Sequence, residues 1–474
     1  MSFNLKKTRN GALTLLGTAT LAACTLGPHY HGAPNVAPEA SQAKSFKRAP
    51  ENATTNAPTL AQWWKPLNDP ELDKLVEAAL ADSPDMHAAE ARLRESRAGL
   101  RGQQSNELPK TSGTAAYLHA HLPSSSLGIG SLGVYDLGFD ATWEVDLFGG
   151  TRRAIEAASA EASAAEADLA DAQVQLSAEV AQAYVNLRDQ QQRIALVRDS
   201  VQIEEQILTL TEQRRAQGVA SDLDVERIRT QVENTRGTLI PLDVQITESL
   251  DELATLTGRE PGALDTELSI PGLLPVLPET VAVGDPAALL KQRPDIRAAD
   301  WRLASANAQI GENEAAWFPK LTLIGDLGFT ATNPGHLVRS NNFTWVGAPL
   351  LQWNGLDFGR TQAKVDQSKA GFEEAEAKYE STVLGALKDA NVALSRYGHQ
   401  RDNVVSLRNV ETSASHAATL TQQRYRAGTS SALDWLDAER TRFSAQQNRI
   451  SGDADLIKDY IALQKSLGLG WQSR

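Results

Sequence analysis

The chain has 474 residues, 41% of them hydrophobic and 22% charged, with one Cys and eight His. One Cys excludes an intrachain disulfide framework and a Cys-ligated zinc site, and 46 basic against 59 acidic residues, a net charge of −13, argues against nucleic acid as a partner. Past the N-terminus no run of 18 apolar residues offers a transmembrane helix, although the short alternating strands of a membrane barrel would escape that test.

Lys6, Lys7 and Arg9 precede an apolar run from Gly11 to Ala23 flanked by small residues. This is the charged and apolar pattern of a secretory signal, too short for a stable span. It ends in Leu21-Ala22-Ala23-Cys24, which resembles a bacterial lipobox, and the one Cys stands at the one position that could use it. We therefore expect residues 1–23 to be a signal peptide and Cys24 to carry a covalent lipid anchor, with no other cofactor. An ordinary signal peptide that happens to end near a Cys is the alternative. Thr25, in place of an Asp, points such a lipoprotein to the outer membrane. Losing Lys6, Lys7 and Arg9 takes the net charge from −13 to −16, and several acyl chains hold a protein stably on a membrane. Residues 24–59 then form a lipidated N-terminal segment, read as flexible, that contains His29 and His31.

The rest of the chain is one unit written twice, at an offset of 210 residues. Ser83-Pro84-Asp85-Met86 answers to Arg293-Pro294-Asp295-Ile296, Arg92-Leu93 to Arg302-Leu303, Pro109-Lys110 to Pro319-Lys320, and Phe148-Gly149 to Phe358-Gly359. Farther on, Leu210-Thr211 and Gln213-Arg214 match Leu420-Thr421 and Gln423-Arg424. Gly218 matches Gly428, Leu223-Asp224 matches Leu433-Asp434, and Leu253 and Gly258 match Leu463 and Gly468. One offset without net insertion marks a tandem duplication. The first repeat covers 60–258, a linker 259–283, and the second repeat 284–474.

Within each repeat a helical segment runs to Pro109 or Pro319, and a polar, Gly-rich stretch follows. A very long helical pattern comes next, at about 150–217 and 360–427, then a Gly tip and a partner helix, at about 221–257 and 431–467. The first long pattern has no Pro or internal Gly and would span roughly 100 Å as one helix. That length predicts a coiled coil or helical tube, with an Ala-rich run from Ala154 to Ala167 favouring close helix approach. Pro241 should kink or interrupt its partner.

The Gly-rich stretches predict strands at about 111–122, 134–148, 320–331 and 342–353. From Tyr135 to Leu147 the odd positions are Tyr, Leu, Phe, Ala, Trp, Val and Leu, whereas the even ones include Asp136, Asp140, Glu144 and Asp146. This period of two gives one apolar and one acidic face. Leu321, Leu323, Leu327 and Phe329 alternate similarly against Thr322, Asp326 and Thr330, Phe343 and Trp345 open the fourth strand, and the first alternates poorly. Trp143, Phe148, Trp345, Trp353 and Phe358 stand where an interfacial aromatic girdle would lie. An antiparallel sheet packed on a soluble core is the alternative. If the strands span a membrane, four cannot close a barrel and an open edge cannot sit in lipid. Several chains must then share one barrel, two giving eight strands and three giving twelve.

Three segments resemble the TolC-like outer-membrane efflux proteins. They are Trp63-Trp64 with Leu67, Asp69-Pro70, Leu72 and Leu75; the run Phe139-Asp140-Ala141-Thr142-Trp143-Glu144-Val145-Asp146-Leu147-Phe148-Gly149; and Arg293-Pro294-Asp295-Ile296. The lipobox with Gly27-Pro28 and Tyr30 points to the NodT/OprM-type lipoprotein branch of that family, and the likeness covers essentially everything after Cys24. It implies a mainly α fold with a small β part, in which a homotrimer shares a twelve-stranded transmembrane barrel and a long periplasmic α-helical barrel. It further implies a passive exit duct for small toxic compounds, whose partners are a periplasmic adaptor (a membrane fusion protein) and an inner-membrane transporter of the proton-driven RND type.

The same likeness implies a periplasmic gate near the Gly tips. Its acidic rings fall on Asp434 and Asp437, its linking Tyr on Tyr425, and the polar partners of that Tyr on Gln213 and Asp224. Ser430 stands where the archetype has a linking Arg, which leaves Arg424, Arg426 or Arg215 as substitutes. Read from the residues alone, Asp434 and Asp437 are equally charges that satisfy the start of a helix. The tips Gly218-Val219-Ala220-Ser221 and Gly428-Thr429-Ser430-Ser431 are where adaptors dock in the family, and local turn chemistry also accounts for them.

No nucleophile constellation and no phosphate-binding Gly-Lys loop appears, so an enzyme is not expected. His119 and His121 share a strand face without an evident third ligand, so no metal is expected either. The rival classes are a lipid-anchored periplasmic coiled-coil scaffold or adaptor without a pore, and a secretion channel for proteins. The alternating strand separates the first of these from a duct, because a scaffold has no need of it.

Overall fold

The computed structural model describes residues 25–121 and 131–472. The expected signal peptide, Cys24 and Leu122 therefore lie outside the described residues. The chain forms two compact units. One takes in 25–34, 92–121, 131–166 and 298–381, and the other 35–91, 167–297 and 382–472.

In chain order the main elements are α1 (Pro70–Asp82), α2 (Pro84–Gln104), β1 (Lys110–His121), β2 (Ser131–Val145) and α3 (Gly150–Ala216). Next come α4 (Asp222–Gly237), α5 (Leu239–Leu256), α6 (Pro286–Gln292) and α7 (Pro294–Ala315). The chain closes with β3 (Lys320–Ala331), β4 (Phe343–Gln352), α8 (Arg360–Arg426) and α9 (Ala432–Ser466). The fold is mainly α with a small β part. Among the described residues no helix is long and apolar enough to cross a membrane.

The first unit holds one antiparallel sheet in the order β1-β2-β3-β4. Its two hairpins repeat the sequence offset to the residue: Lys110 faces Thr142 in one, and Lys320 faces Gln352 in the other. Alternation sorts the side chains to two faces. On one, Phe139 lies opposite Leu327 and Leu327 opposite Trp345. This face is bare, with Phe139 65% and Trp345 74% exposed. On the other, Thr330 Oγ1 donates to Asp136 at 2.9 Å, Lys320 pairs with Glu144 at 2.9 Å, and Asp140 faces Asp326.

Asp146 leaves the acidic face expected for it. β2 ends at Val145, and the Asp146 carboxylate turns to accept from the Arg152 amide at 3.0 Å and its guanidinium at 3.2 Å, capping the start of α3. The expected aromatic girdle also divides. Trp143 and Trp353 each donate an indole N–H across 3.0 Å, to the carbonyls of Glu107 and Trp317, which ties a strand to the chain two residues before Pro109 or Pro319. Phe148 stacks on Phe318 at 4.7 Å, whereas Trp345 and Phe358 stay bare.

The second unit is organised around Trp63 and Trp64, both buried and set edge to face at 5.8 Å. Trp63 donates to Ser177 Oγ on α3 at 3.3 Å, and Leu67, Leu72, Leu75 and Val76 pack inward. Asp69 accepts from the amides of Glu71 and Leu72, capping α1, and its other oxygen accepts from Tyr184 Oη at 2.8 Å. The Arg293 guanidinium grips Asp295 and the Ser466 carbonyl, and a Cβ on Gly468 (φ +71°) would lie 2.7 Å from its Cγ. The expected linker is laid on α3, where Arg188 donates to Ile270 O and Gln191 to Leu268 O, both at 2.8 Å.

The partner of α3 breaks between α4 and α5 at Thr238. Pro241, the third residue of α5, has no amide to return to Gly237. The second repeat has Gln447 and Ser451 at those places, and α9 runs unbroken.

Removing the Asp69 side chain takes away both a helix cap and the acceptor of the buried Tyr184 hydroxyl. Asp69→Ala should cost about 1–2 kcal/mol, with Asp69→Asn closer to wild type; paired thermal melts of the purified protein check the order.

Candidate functional site

The candidate site is the pair of helical tips in the second unit, where α3 turns into α4 and α8 into α9. Each tip is a glycine-terminated helix end. Gly218 N–H donates to Arg215 O and Val219 N–H to Arg214 O, both at 2.9 Å. Gly428 N–H donates to Tyr425 O at 3.0 Å and Thr429 N–H to Arg424 O at 2.9 Å. Both glycines have φ +76°, a conformation in which a side chain would be strained.

The next helix then opens on a capping box. Ser221 Oγ accepts from the Asp224 amide at 3.1 Å while Asp224 accepts from the Ser221 amide at 3.1 Å. Ser431 and Asp434 exchange the same pair of bonds at 3.1 and 2.9 Å. These hydrogen bonds hold both carboxyls below the usual carboxylate range: for Asp224 the Ser221 hydroxyl acts first, for Asp434 the Ser431 amide. The starts of α4 and α9 are thus tightest above that range and loosen as pH falls through it.

The structure gives the expected gate residues different duties. Asp434 caps a helix, and Ser430, at the place of the archetypal Arg, donates to the Asp434 carboxylate at 3.0 Å. Asp437 is exposed one turn on and carries no ion pair among the described residues. Tyr425 does not reach Gln213 or Asp224 within the chain. It is 3% exposed, in a cluster with Ile207, Ile228, Trp435 and Leu436, and its hydroxyl finds no hydrogen-bond partner among the described residues. The Arg214 guanidinium sits 4.1 Å over its ring and Trp435 lies 5.3 Å away. Asp224 is held by Ser221, and Gln213 is exposed. Of the candidate substitutes for the linking Arg, Arg215 pairs with Asp222, Arg424 lies near Asp434, and Arg426 is exposed. At the first tip Val219 and, just beyond it, Leu223 present apolar side chains to solvent.

Sequence reading missed Glu204, which α3 buries against α4. Its Oε1 accepts from Thr235 at 3.1 Å and Gln231 at 3.3 Å, whereas Oε2 has no partner among the described residues. Burial pushes this carboxyl up, with the Thr235 and Gln231 hydrogen bonds and Arg440 opposing and Glu439 adding to it. The only trace in the sequence is its place in the helical stripe of Ile207 and Thr211, too faint to single it out.

Because folding raises the Glu204 carboxyl, its stability contribution is fully present below the unfolded value and is lost as pH rises through the folded one. Glu204→Gln should therefore melt higher than wild type at neutral pH, and the gap should close as pH falls to the ordinary carboxylate range; melts across that range check it.

The model of the family described as "Outer membrane efflux protein" matches residues 75–259 and 286–469, one stretch for each repeat. The antibiotic efflux pump outer membrane protein ArpC of Pseudomonas putida is 31% identical over 471 residues, covering 97% of this chain and 95% of its own length. The outer membrane protein OprJ of Pseudomonas aeruginosa is 30% identical, covering 98% and 97%. Among solved structures, that of the outer-membrane channel OprN superposes with a TM-score of 0.85 at 34% identity, over 95% of this chain and all of that one.

Proposed function

The chain belongs to the outer membrane efflux protein family, and we propose that it is the exit duct of a tripartite efflux system, passing small toxic compounds from an inner-membrane pump across the periplasm and outer membrane. Its place is the outer membrane and its work is transport, not catalysis. The observation that carries the reading is the sheet of the first unit, with a bare apolar face and two open edges, β1 and β4. Backbone groups at an open edge have no water to turn to in lipid, so the edges must pair with those of other copies. Three copies give a twelve-stranded barrel, lined by Asp136, Asp140, Asp326 and Glu144, and six helical hairpins from the two repeats of each chain.

In this reading Cys24 carries the lipid anchor, a periplasmic adaptor docks at Gly218–Ser221 and Gly428–Ser431, and an RND-type transporter supplies the energy. The duct itself only conducts. Adaptor binding spreads the tips and separates the Asp434 and Asp437 rings. Three copies of each carboxylate around a narrow axis repel one another and attract cations, which supports a gate there. Asp437 is the cleaner gating charge, since Asp434 is also holding the start of α9.

The rival reading, a scaffold without a pore, leaves the exposed Phe139 and Trp345 unexplained, since water would penalise such a face. A channel for proteins is disfavoured by relatives such as ArpC, whose name records antibiotic efflux.

Planar-bilayer recordings test the duct and its gate together. Wild type should show a small, cation-selective conductance, and Asp437→Asn should raise it severalfold. Asp434→Asn, which keeps an acceptor for the Ser431 amide, should raise it without fraying α9. Conductance unchanged by either variant would keep the duct and discard the gate; assembled protein that never conducts would favour the scaffold.

A further inference from the structure

The residues that follow Cys24 do not form the flexible tether expected from the sequence. Thr25–Pro34 is a strap lying in a groove of the first unit. Leu26 N–H donates to Phe148 O at 3.2 Å, in the turn between β2 and α3. Arg153, on the first turn of α3, donates from Nε to Leu26 O at 2.9 Å and from Nη2 to Gly27 O at 3.0 Å. Its Nη2 also approaches His29 Nδ1 at 3.4 Å, where the imidazole must accept, since a guanidinium can only donate. Asn307 donates to Pro28 O at 3.0 Å, and Tyr30 Oη donates to the Asp300 carboxylate.

Missing side chains shape this groove. A Cβ on Gly27, whose φ is +86°, would lie 2.3 Å from Gly311 Cα. One on Gly311 would lie 2.6 Å from Leu26 O and 2.9 Å from Arg153 Nε, and one on Gly149 would strike Thr25. Arg153 is 1% exposed. Besides the strap it has Glu156, at 2.7 Å. Without the strap two of its nitrogens would face an emptied groove, and a guanidinium so removed from water is costly unless its donors are met.

We propose that Arg153 is a positioning residue that seats the N-terminal strap and so fixes where the lipid-bearing end of the chain leaves the protein, at the turn between β2 and α3. The placement of the lipid rests on the lipid-anchor reading of Cys24; the seating of the strap does not. A seated strap holds Thr25, the described residue that follows the expected anchor, against Gly149 in the turn between β2 and α3. The acyl chains and the apolar face of the sheet then meet the same bilayer in fixed register. A loose tether of the same length would let them part.

Hydrogen–deuterium exchange read by mass spectrometry, on full-length protein purified from membranes, tests the seating. In wild type the Leu26 amide, the strap N–H that donates to Phe148 O, should exchange slowly. In Arg153→Ala and in Gly27→Ala it should exchange at least about tenfold faster, with Arg153→Lys between, because an ammonium cannot fork to two carbonyls. The double variant should be no faster than either single one, and exchange along 154–166 and through α9 should stay at wild-type rates. A strap equally slow in Arg153→Ala and wild type overturns the proposal, as does faster exchange spreading through 154–166, which marks Arg153 as a support of α3 alone. Should Arg153→Ala fail to assemble, Gly27→Ala decides from the strap side. Intact mass of the same samples reads the acylation of Cys24 separately: a fast strap on acylated variant protein supports both parts. Absence of lipid in wild type removes the anchor reading and its placement, and leaves the strap result to stand or fall by itself.

Discussion

The constraint on which the rest of the structure depends is that a backbone in lipid has nothing to hydrogen-bond except itself. The four strands of the first unit satisfy one another across β1-β2, β2-β3 and β3-β4, and leave the outer edges of β1 and β4 unpaired. With Phe139, Leu327 and Trp345 bare on one face, that sheet suits lipid and is incomplete by itself. In the trimer we propose, closure, the acidic lining and the six helical hairpins follow once those edges are paired with further copies. An exposed hydrophobic edge strand in water would instead be an aggregation site.

The duplication explains why so much is built twice. Hairpin register, the Trp143 and Trp353 indole ties, the glycine turns at 218 and 428, and the capping boxes at 221 and 431 all recur at one offset. Where the copies diverge, the cause is local. Pro241 splits α4 from α5, while Ser451 lets α9 continue. Asp146 caps α3 from behind β2, whereas Asp357 caps α8 by accepting from the Gly359 and Thr361 amides.

Several residues that carry the family likeness prove to be architecture. Trp63, Trp64 and Asp69 assemble the core of the second unit, and Arg293 with Gly468 locks the chain's end to the start of the second repeat. At the tips, Asp434 holds the first turn of α9 by accepting from the Ser431 amide. Tyr425, read as a polar link, is drawn into an apolar cluster under Arg214.

The sequence by itself determined what depends on periodicity and local chemistry. Alternation from Tyr135 to Leu147 specifies a two-faced strand, long Pro-free runs specify the helices, and Gly with Ser and Asp at set spacings specifies the tips, because each needs only neighbouring residues. The tertiary structure decided what depends on residues distant along the chain. Whether Asp146 lines a strand or caps a helix turned on where β2 ends. What packs around Tyr425 turned on which helices surround it. Glu204 and Arg153 carry no mark in the sequence, since burial of a charge against Thr235 on another helix, or against Leu26 and Gly27 more than a hundred residues away, exists only after folding brings them together.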